Sequence, residues 1–164
     1  MPVAHAPVLR FDLLPGLRRP ISRRAFGANK TWRGALVMGG GTMAATIALY
    51  RVPEYRRRLP EELEDASPAL VGALLGSAVW VGELPNSFVK RRLGIAPGKQ
   101  RGGPLGMVIS IVDQADWVPT AWLLLRPLYP MSAAAAARMC AIVAAVHIPV
   151  NLVGYAIGAR SSAI

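Results

Sequence analysis

The chain has 164 residues, 53% of them apolar, with a mean hydropathy of +0.36 and a formal net charge of +10. Charged residues make up only 17%, below the quarter usual in soluble domains, so nucleic-acid binding would account for the charge but not for the apolar segments. The single cysteine, Cys140, excludes an intramolecular disulfide and a cysteine-rich metal site.

The first segment, residues 1–33, is basic. It lacks the basic-then-apolar order of a signal peptide and the ~20 apolar residues needed to span a bilayer. Four apolar segments follow, at residues 34–50, 68–82, 104–125 and 133–158. Each is read as a transmembrane helix, since a span takes roughly 17–25 residues; the second is short and must borrow from its flanks. All four are rich in Gly, Ala and Ser, which let membrane helices approach closely. Pro119 and Pro149 are predicted to kink the third and fourth helices. The pattern predicts an all-α, integral-membrane helical bundle of about four transmembrane helices, one domain over residues 1–164. Thirteen Lys and Arg residues fall in the N-terminal segment, the 85–103 loop and the C-terminus, against six in the other connections, which also carry five acidic residues. This excess puts both termini and the basic 85–103 loop in the cytoplasm, in a multi-pass plasma-membrane protein.

Two carboxylates interrupt the third apolar segment, in "VDQAD". Asp113 and Asp116 stand at i and i+3, on one helical face, and intramembrane carboxylates usually line a functional pathway. The plainer reading places them at the membrane interface or against arginines. Glu83, in "WVGELPNSF", is expected to end the second helix on the same side, so that three carboxylates converge. Oxygen-only ligands suit Mg²⁺, which completes its shell with water and substrate phosphates.

Cations lie beside them. Ser87, Lys90 and Arg91 are spaced i, i+3, i+4 on a predicted short helix after Glu83. Lys90, Arg91 and Arg92 could be a headgroup anchor; next to Mg²⁺-type carboxylates, phosphate binding weighs equally. "GIAPGKQRGGP" adds a glycine-containing basic loop, a weak phosphate signal alone. In "FGANKTWRG", Lys30 and Arg33 are predicted to share a helical face, with Asn29 and Thr31 as polar neighbours and Trp32 as an interfacial anchor. His147 and Asn151 stand at i and i+4 in the fourth segment, where a lone histidine is more often structural than a ligand.

Taken in order, "FGANKTWRG", "GELPNSFVKRRLGIAPG", "VDQAD" and "HIPVNLVGY" resemble the CDP-archaeol synthase family, membrane CTP-transferases related more distantly to phosphatidate cytidylyltransferases. The resemblance runs over roughly residues 6–155 and rests on the order and spacing of the motifs. It implies that CTP and a lipid phosphate give a CDP-activated lipid and pyrophosphate, with Mg²⁺ as cofactor. The lipid phosphate would be archaetidic-acid-like, a phosphatidate or of prenyl type. The resemblance maps acidic metal ligands onto Asp113 and Asp116, with Glu83 where family members commonly carry Asp. It maps phosphate-binding residues onto Lys30, Arg33, Ser87, Lys90 and Arg91; Thr31 and Asn151 join the substrate-binding set, and Asp113, Asp116 and Lys90 are the implied catalytic group. The family usually has one further N-terminal helix before a segment like "HAPVLR", which here begins almost at Met1. A four-helix form could complete itself as a homodimer. The competing readings are a non-catalytic scaffold or anionic-lipid binder keeping the same fold, and a transporter, whose polar residues would continue across the bilayer.

Overall fold

A computed structural model describes residues 14–99 and 101–156. Seven α-helices and one short 3-10 turn form the described chain, which contains no strand beyond an isolated bridge between Pro20 and Thr31. The helices are α1 (Trp32–Tyr50), α2 (Pro53–Arg56), α3 (Glu61–Glu64), α4 (Pro68–Arg92), α5 (Gly103–Ala115), α6 (Trp117–Leu125) and α7 (Ala133–Ala156). The all-α expectation is met.

Helix starts follow local chemistry. Thr31 caps α1, its hydroxyl accepting from the Gly34 amide at 3.1 Å. Ser67 caps α4 ahead of Pro68, whose missing N–H is no loss in a first turn. The Ser132 hydroxyl accepts from Ala135 at the start of α7.

The helix α4 is the central element, packed most extensively against α1 and then α6. Its contact with α1 runs through Gly72 and Gly76, which face Met43 and Gly39; a Cβ at Gly72 would stand 3.0 Å from the Met43 carbonyl oxygen. Small residues four apart allow this backbone-to-backbone approach. At one end of the bundle, Tyr50, Val71 and Leu125 form an apolar core covered by α2, α3 and the residues around them. The Tyr50 hydroxyl donates to the Leu63 carbonyl at 2.8 Å, closing that end. Glu83, Asn86 and Lys90, near the far end of α4, lie toward the other end.

Two predicted boundaries are corrected. The second helix does not stop at residue 82 with Glu83 as its end: α4 continues through Pro85 to Arg92, so the predicted 85–103 loop shrinks to residues 93–102. Pro85 removes one hydrogen bond, to the Val81 carbonyl, and the turns on either side carry the helix past it. The third segment is not one helix kinked at Pro119. It breaks at Asp116, which ends α5 and opens α6. Pro119 supplies the reason, since it has no N–H for the carbonyl of Ala115, the last residue of α5.

Only α4 among the described residues is both long and apolar enough to cross a membrane; residues 133–147 of α7 form a shorter apolar stretch. The first, third and fourth predicted spans are therefore helical where expected without each meeting that criterion. Much of the outer surface is nevertheless apolar. Met107, Val108, Ile111 and Val112 on α5 and Ile142, Val146, Val150 and Val153 on α7 are all exposed.

Candidate functional site

The site is built on one row of α4. Glu83, Asn86 and Lys90 stand at i, i+3 and i+7, a spacing that keeps all three on one helical face. The Asn86 side-chain amide donates to Asp113 and, at 3.0 Å, to Oδ2 of Asp116. The Lys90 ammonium pairs with the other oxygen of Asp113. Lys30, just before α1, pairs with Glu83. Six side chains from three parts of the sequence thus form a continuous polar strip with a cation at each end.

The helix break positions the aspartates. Asp113 sits in the last turn of α5 and Asp116 is the joint itself. The α6 side of the joint rests on α4 at Gly82, where a Cβ would lie 3.0 Å from the Asp116 carbonyl oxygen and closer still to the Trp117 Cα. Only glycine admits that approach, one residue before Glu83. Elsewhere α5 meets α4 at few points, and the Asn86 and Lys90 bonds to Asp113 are among the ties that hold them together.

On the neighbouring face of α4, Ser87 is buried. The Nε and Nη1 atoms of Arg91 are buried without a hydrogen-bond partner among the described residues. The loop before α1 folds over this arginine. Residues Ile21 and Lys30 bond across its base at 2.8 Å. Gly27 adopts φ +93°, with its Cβ direction aimed at Pro97 and Arg91; any larger residue would be strained there and would collide with Pro97. Buried guanidinium N–H groups left unused are costly unless an anion supplies the acceptors.

The predicted residues therefore divide. Asp113, Asp116 and Lys90 come together. Glu83 lies on the same strip but is held by Lys30, and no group of three or more acidic, His or Cys side chains gathers into a metal cage among the described residues. Lys30 and Arg33 do not share a helical face, because α1 begins at Trp32 and Lys30 precedes it. Thr31 lines a cavity while its hydroxyl caps α1. Ser87 and Arg91 lie beside the Glu83–Asn86–Lys90 row rather than on it. The Asn151 side chain lies outside the described residues, as do residues 1–13. His147 bonds the Val143 carbonyl of its own helix at 3.0 Å. Asn86 was missed, although its i+3 spacing from Glu83 and i−4 spacing from Lys90 were available to point it out.

Two cavities adjoin the Lys30 end. One of about 260 Å³, the more polar of the two, is lined by Asn29, Lys30, Thr31 and Glu83 together with apolar side chains such as Met38 and Trp80. It shares Ala35 and Trp80 with an apolar groove of about 510 Å³ between α1 and α4, along Trp32, Leu36, Met43 and Gly76. The Trp32 and Trp80 rings stand 6.2 Å apart, between groove and polar cavity. The arrangement offers an apolar channel leading to a cation and a carboxylate pair beyond it.

Comparison with known proteins agrees with the motifs. The family model described as CarS-like CDP-archaeol synthase matches residues 18–163. The CDP-archaeol synthase of Methanoregula boonei is 31% identical over 141 residues, covering 81% of this chain and 77% of the relative. That of Methanoculleus marisnigri is 30% identical over 148 residues, covering 84% and 80%. That of Methanococcus aeolicus is 32% identical over 91 residues, covering 56% of this chain and 47% of the relative. The matched part thus spans about half the length of the Methanococcus aeolicus protein and 56% of the Thermococcus onnurineus one. No solved structure matches the chain. With a family model aligned to nearly its whole length, and with three of the four motifs meeting on one polar strip, the chain belongs to the CarS-like CDP-archaeol synthase family.

Proposed function

We propose that the protein is an integral-membrane CTP:lipid-phosphate cytidylyltransferase, active on a diether lipid phosphate of the archaetidic-acid type. The observation that carries the reading is the pair Asp113 and Asp116, drawn together by Asn86 and flanked by Lys30 and Lys90. Family membership supplies the reaction class, and the name of the relatives supplies the lipid type.

The donor set fits Mg²⁺. Asp113 and Asp116 present carboxylate oxygens from adjacent turns to one region, and this ion commonly takes one or two carboxylates, filling the rest of its shell with water and substrate phosphates. Asp113 and Asp116 would hold it; Glu83, engaged by Lys30, would orient that lysine instead. When bound, Mg²⁺ would neutralise charge on the transferring phosphoryl group.

The protein's own residues do the positioning. The lipid chains lie along the groove between α1 and α4, which brings the headgroup phosphate to Lys30. Lys90 and the unpaired N–H groups of Arg91 hold nucleotide phosphates. A lipid phosphate oxygen attacks the α-phosphorus of CTP in line. A P–O bond forms there as the bond to the β-phosphate oxygen breaks, and pyrophosphate leaves with the bonding electrons. The nucleophile is already anionic, so no protein base is needed; positioning and charge neutralisation carry such transfers.

Embedding follows the same reading. The helices α1, α4, α5 with α6, and α7 cross the bilayer, their exposed Leu, Ile, Val and Met side chains facing lipid. The polar end, with its excess of Lys and Arg, faces the cytoplasm where CTP is available.

Membranes containing the protein, Mg²⁺ and CTP labelled at the α-phosphate test the proposal against a panel of diether lipid phosphate, phosphatidate and prenyl phosphate. Label in the lipid fraction with wild type, and loss of at least about a hundredfold with Asp116→Asn, is the expected result. No label with any acceptor would leave a membrane scaffold as the better description.

A further inference from the structure

We propose that Ser110, Lys99 and Arg101 form a second oxyanion subsite, which holds the two terminal phosphates of the nucleotide and releases them as pyrophosphate. The inference rests on the cytidylyltransferase reading and deepens it by assigning the leaving group a place.

Ser110 carries the argument. It is only 6% exposed, and its hydroxyl has no hydrogen-bond partner among the described residues. A serine inside a helix ordinarily bonds the carbonyl four residues back; Ser110 does not. It stands one turn before Asp113 on the same face of α5. The hydroxyl borders a very small cavity of about 10 Å³, whose walls include Lys90, Lys99, Arg101 and Asp113. Through Ile95, Lys99 and Arg101 this cavity joins an open cleft of about 410 Å³ over the loop after α4.

The shape selects the ligand. The inner cavity is the size of a single water molecule, so one oxygen atom can reach Ser110 while the rest of its group stays in the cleft. Three cations and one carboxylate, Asp113, border that point; Asp113 offsets Lys90, which leaves the charge of Lys99 and Arg101, and the hydroxyl supplies a further donor. A phosphate, which accepts on every free oxygen, matches this set. A neutral sugar or base would offer no charge to Lys99 and Arg101, since Lys90 already pairs with Asp113.

The position then distinguishes two phosphates. The apolar groove opens at the Lys30 end of the strip, whereas Lys99, Arg101 and Ser110 gather around Lys90 at the other. Glu83 and Lys90 are seven residues apart on α4, about 10 Å along the helix axis. A lipid phosphate arriving by the groove and a polyphosphate lying in the cleft would therefore meet the two aspartates from opposite sides. In-line displacement needs the attacking and leaving oxygens arranged in this way.

The test uses the full chain purified in detergent, with inorganic pyrophosphate and Mg²⁺ as the probe in titration calorimetry, and CMP as a control lacking the terminal phosphates. Ser110→Ala is expected to weaken pyrophosphate binding about tenfold, the usual effect of losing one hydrogen bond to a charged group. CMP affinity and melting temperature should stay as in wild type. The paired change Lys99→Gln with Arg101→Gln, on the exposed loop, should weaken pyrophosphate at least as much and flatten its salt dependence. Pyrophosphate affinity unchanged in both variants overturns the subsite, as does failure of the wild type to bind pyrophosphate. A rise in KM for the lipid phosphate with no change for CTP also overturns it and gives the pocket to the lipid headgroup. If pyrophosphate binds through these residues but no lipid acceptor is labelled, the subsite stands and the transferase reading falls. If transfer occurs and both variants bind pyrophosphate normally, the reverse holds.

Discussion

Asn86→Ala is the sharpest probe of the strip, because one amide donates to both aspartates. A hydrogen bond to a charged acceptor contributes about 1.5–3 kcal/mol, so two would give ~3–6 kcal/mol if the carboxylates were left bare. They are not: Asp113 retains Lys90, and its side chain is 26% exposed, so water replaces part of what is lost. Discounted for this, the working figure is about 2–4 kcal/mol. Little of it should appear as unfolding, since the α1–α4 and α4–α6 contacts are untouched. It should appear as a loss of alignment between Asp113 and Asp116. Removing an outer partner of a metal-binding carboxylate typically lowers metal affinity 10–100-fold. The assay is the initial rate of CMP transfer to lipid as a function of Mg²⁺ concentration. The half-saturating Mg²⁺ concentration should rise by about 10–100-fold, while KM for the lipid phosphate stays near wild type. Asn86→Gln, which keeps the donor on a longer stem, should recover part of the effect. A wild-type Mg²⁺ curve for Asn86→Ala would refute the reasoning that Asn86 gathers the pair.

Two further changes separate packing from binding. Gly82→Ala forces a methyl group against the Asp116–Trp117 joint; overpacking of this kind costs about 1–3 kcal/mol, so thermal unfolding in detergent should move down by roughly 2–10 °C, and an unchanged midpoint would contradict the close approach of α4 and α6. Lys30→Met keeps the length and apolar stem but removes the cation at the mouth of the groove; KM for the lipid phosphate should rise about tenfold with KM for CTP unchanged, whereas a shift in the CTP value would assign Lys30 to the nucleotide.

Much of the site was readable from one chain because its parts are short motifs of costly residues. Asp113 and Asp116 drew notice because carboxylates do not persist in apolar segments without a role. Lys90 and Lys30 drew notice because they border those segments. Asn86 did not, since an amide costs less than a charge and the second helix was expected to end at Glu83. The expected helix end at Glu83 is passed, α4 running through Pro85 to Arg92, while the break comes at Asp116, one turn before Pro119. A proline removes one donor and does not itself decide whether the surrounding contacts keep the helix going.

The sequence by itself determined an all-helical chain, the places of its long apolar helices, its charge asymmetry and its family, because periodicity, hydropathy and motif order are properties of residues near one another in the chain. It also named most of the charged members of the site. Only the tertiary structure decided which charges meet: that Lys30 takes Glu83, that Lys90 takes Asp113, that Asn86 joins the two aspartates, and that Arg91 Nε and Nη1 and the Ser110 hydroxyl are buried with donors unused. These pairings span 23 to 53 residues of sequence. They depend on how closely α4, α5 and α6 approach, which Gly82 and the break at Asp116 set through backbone contact rather than through any local pattern.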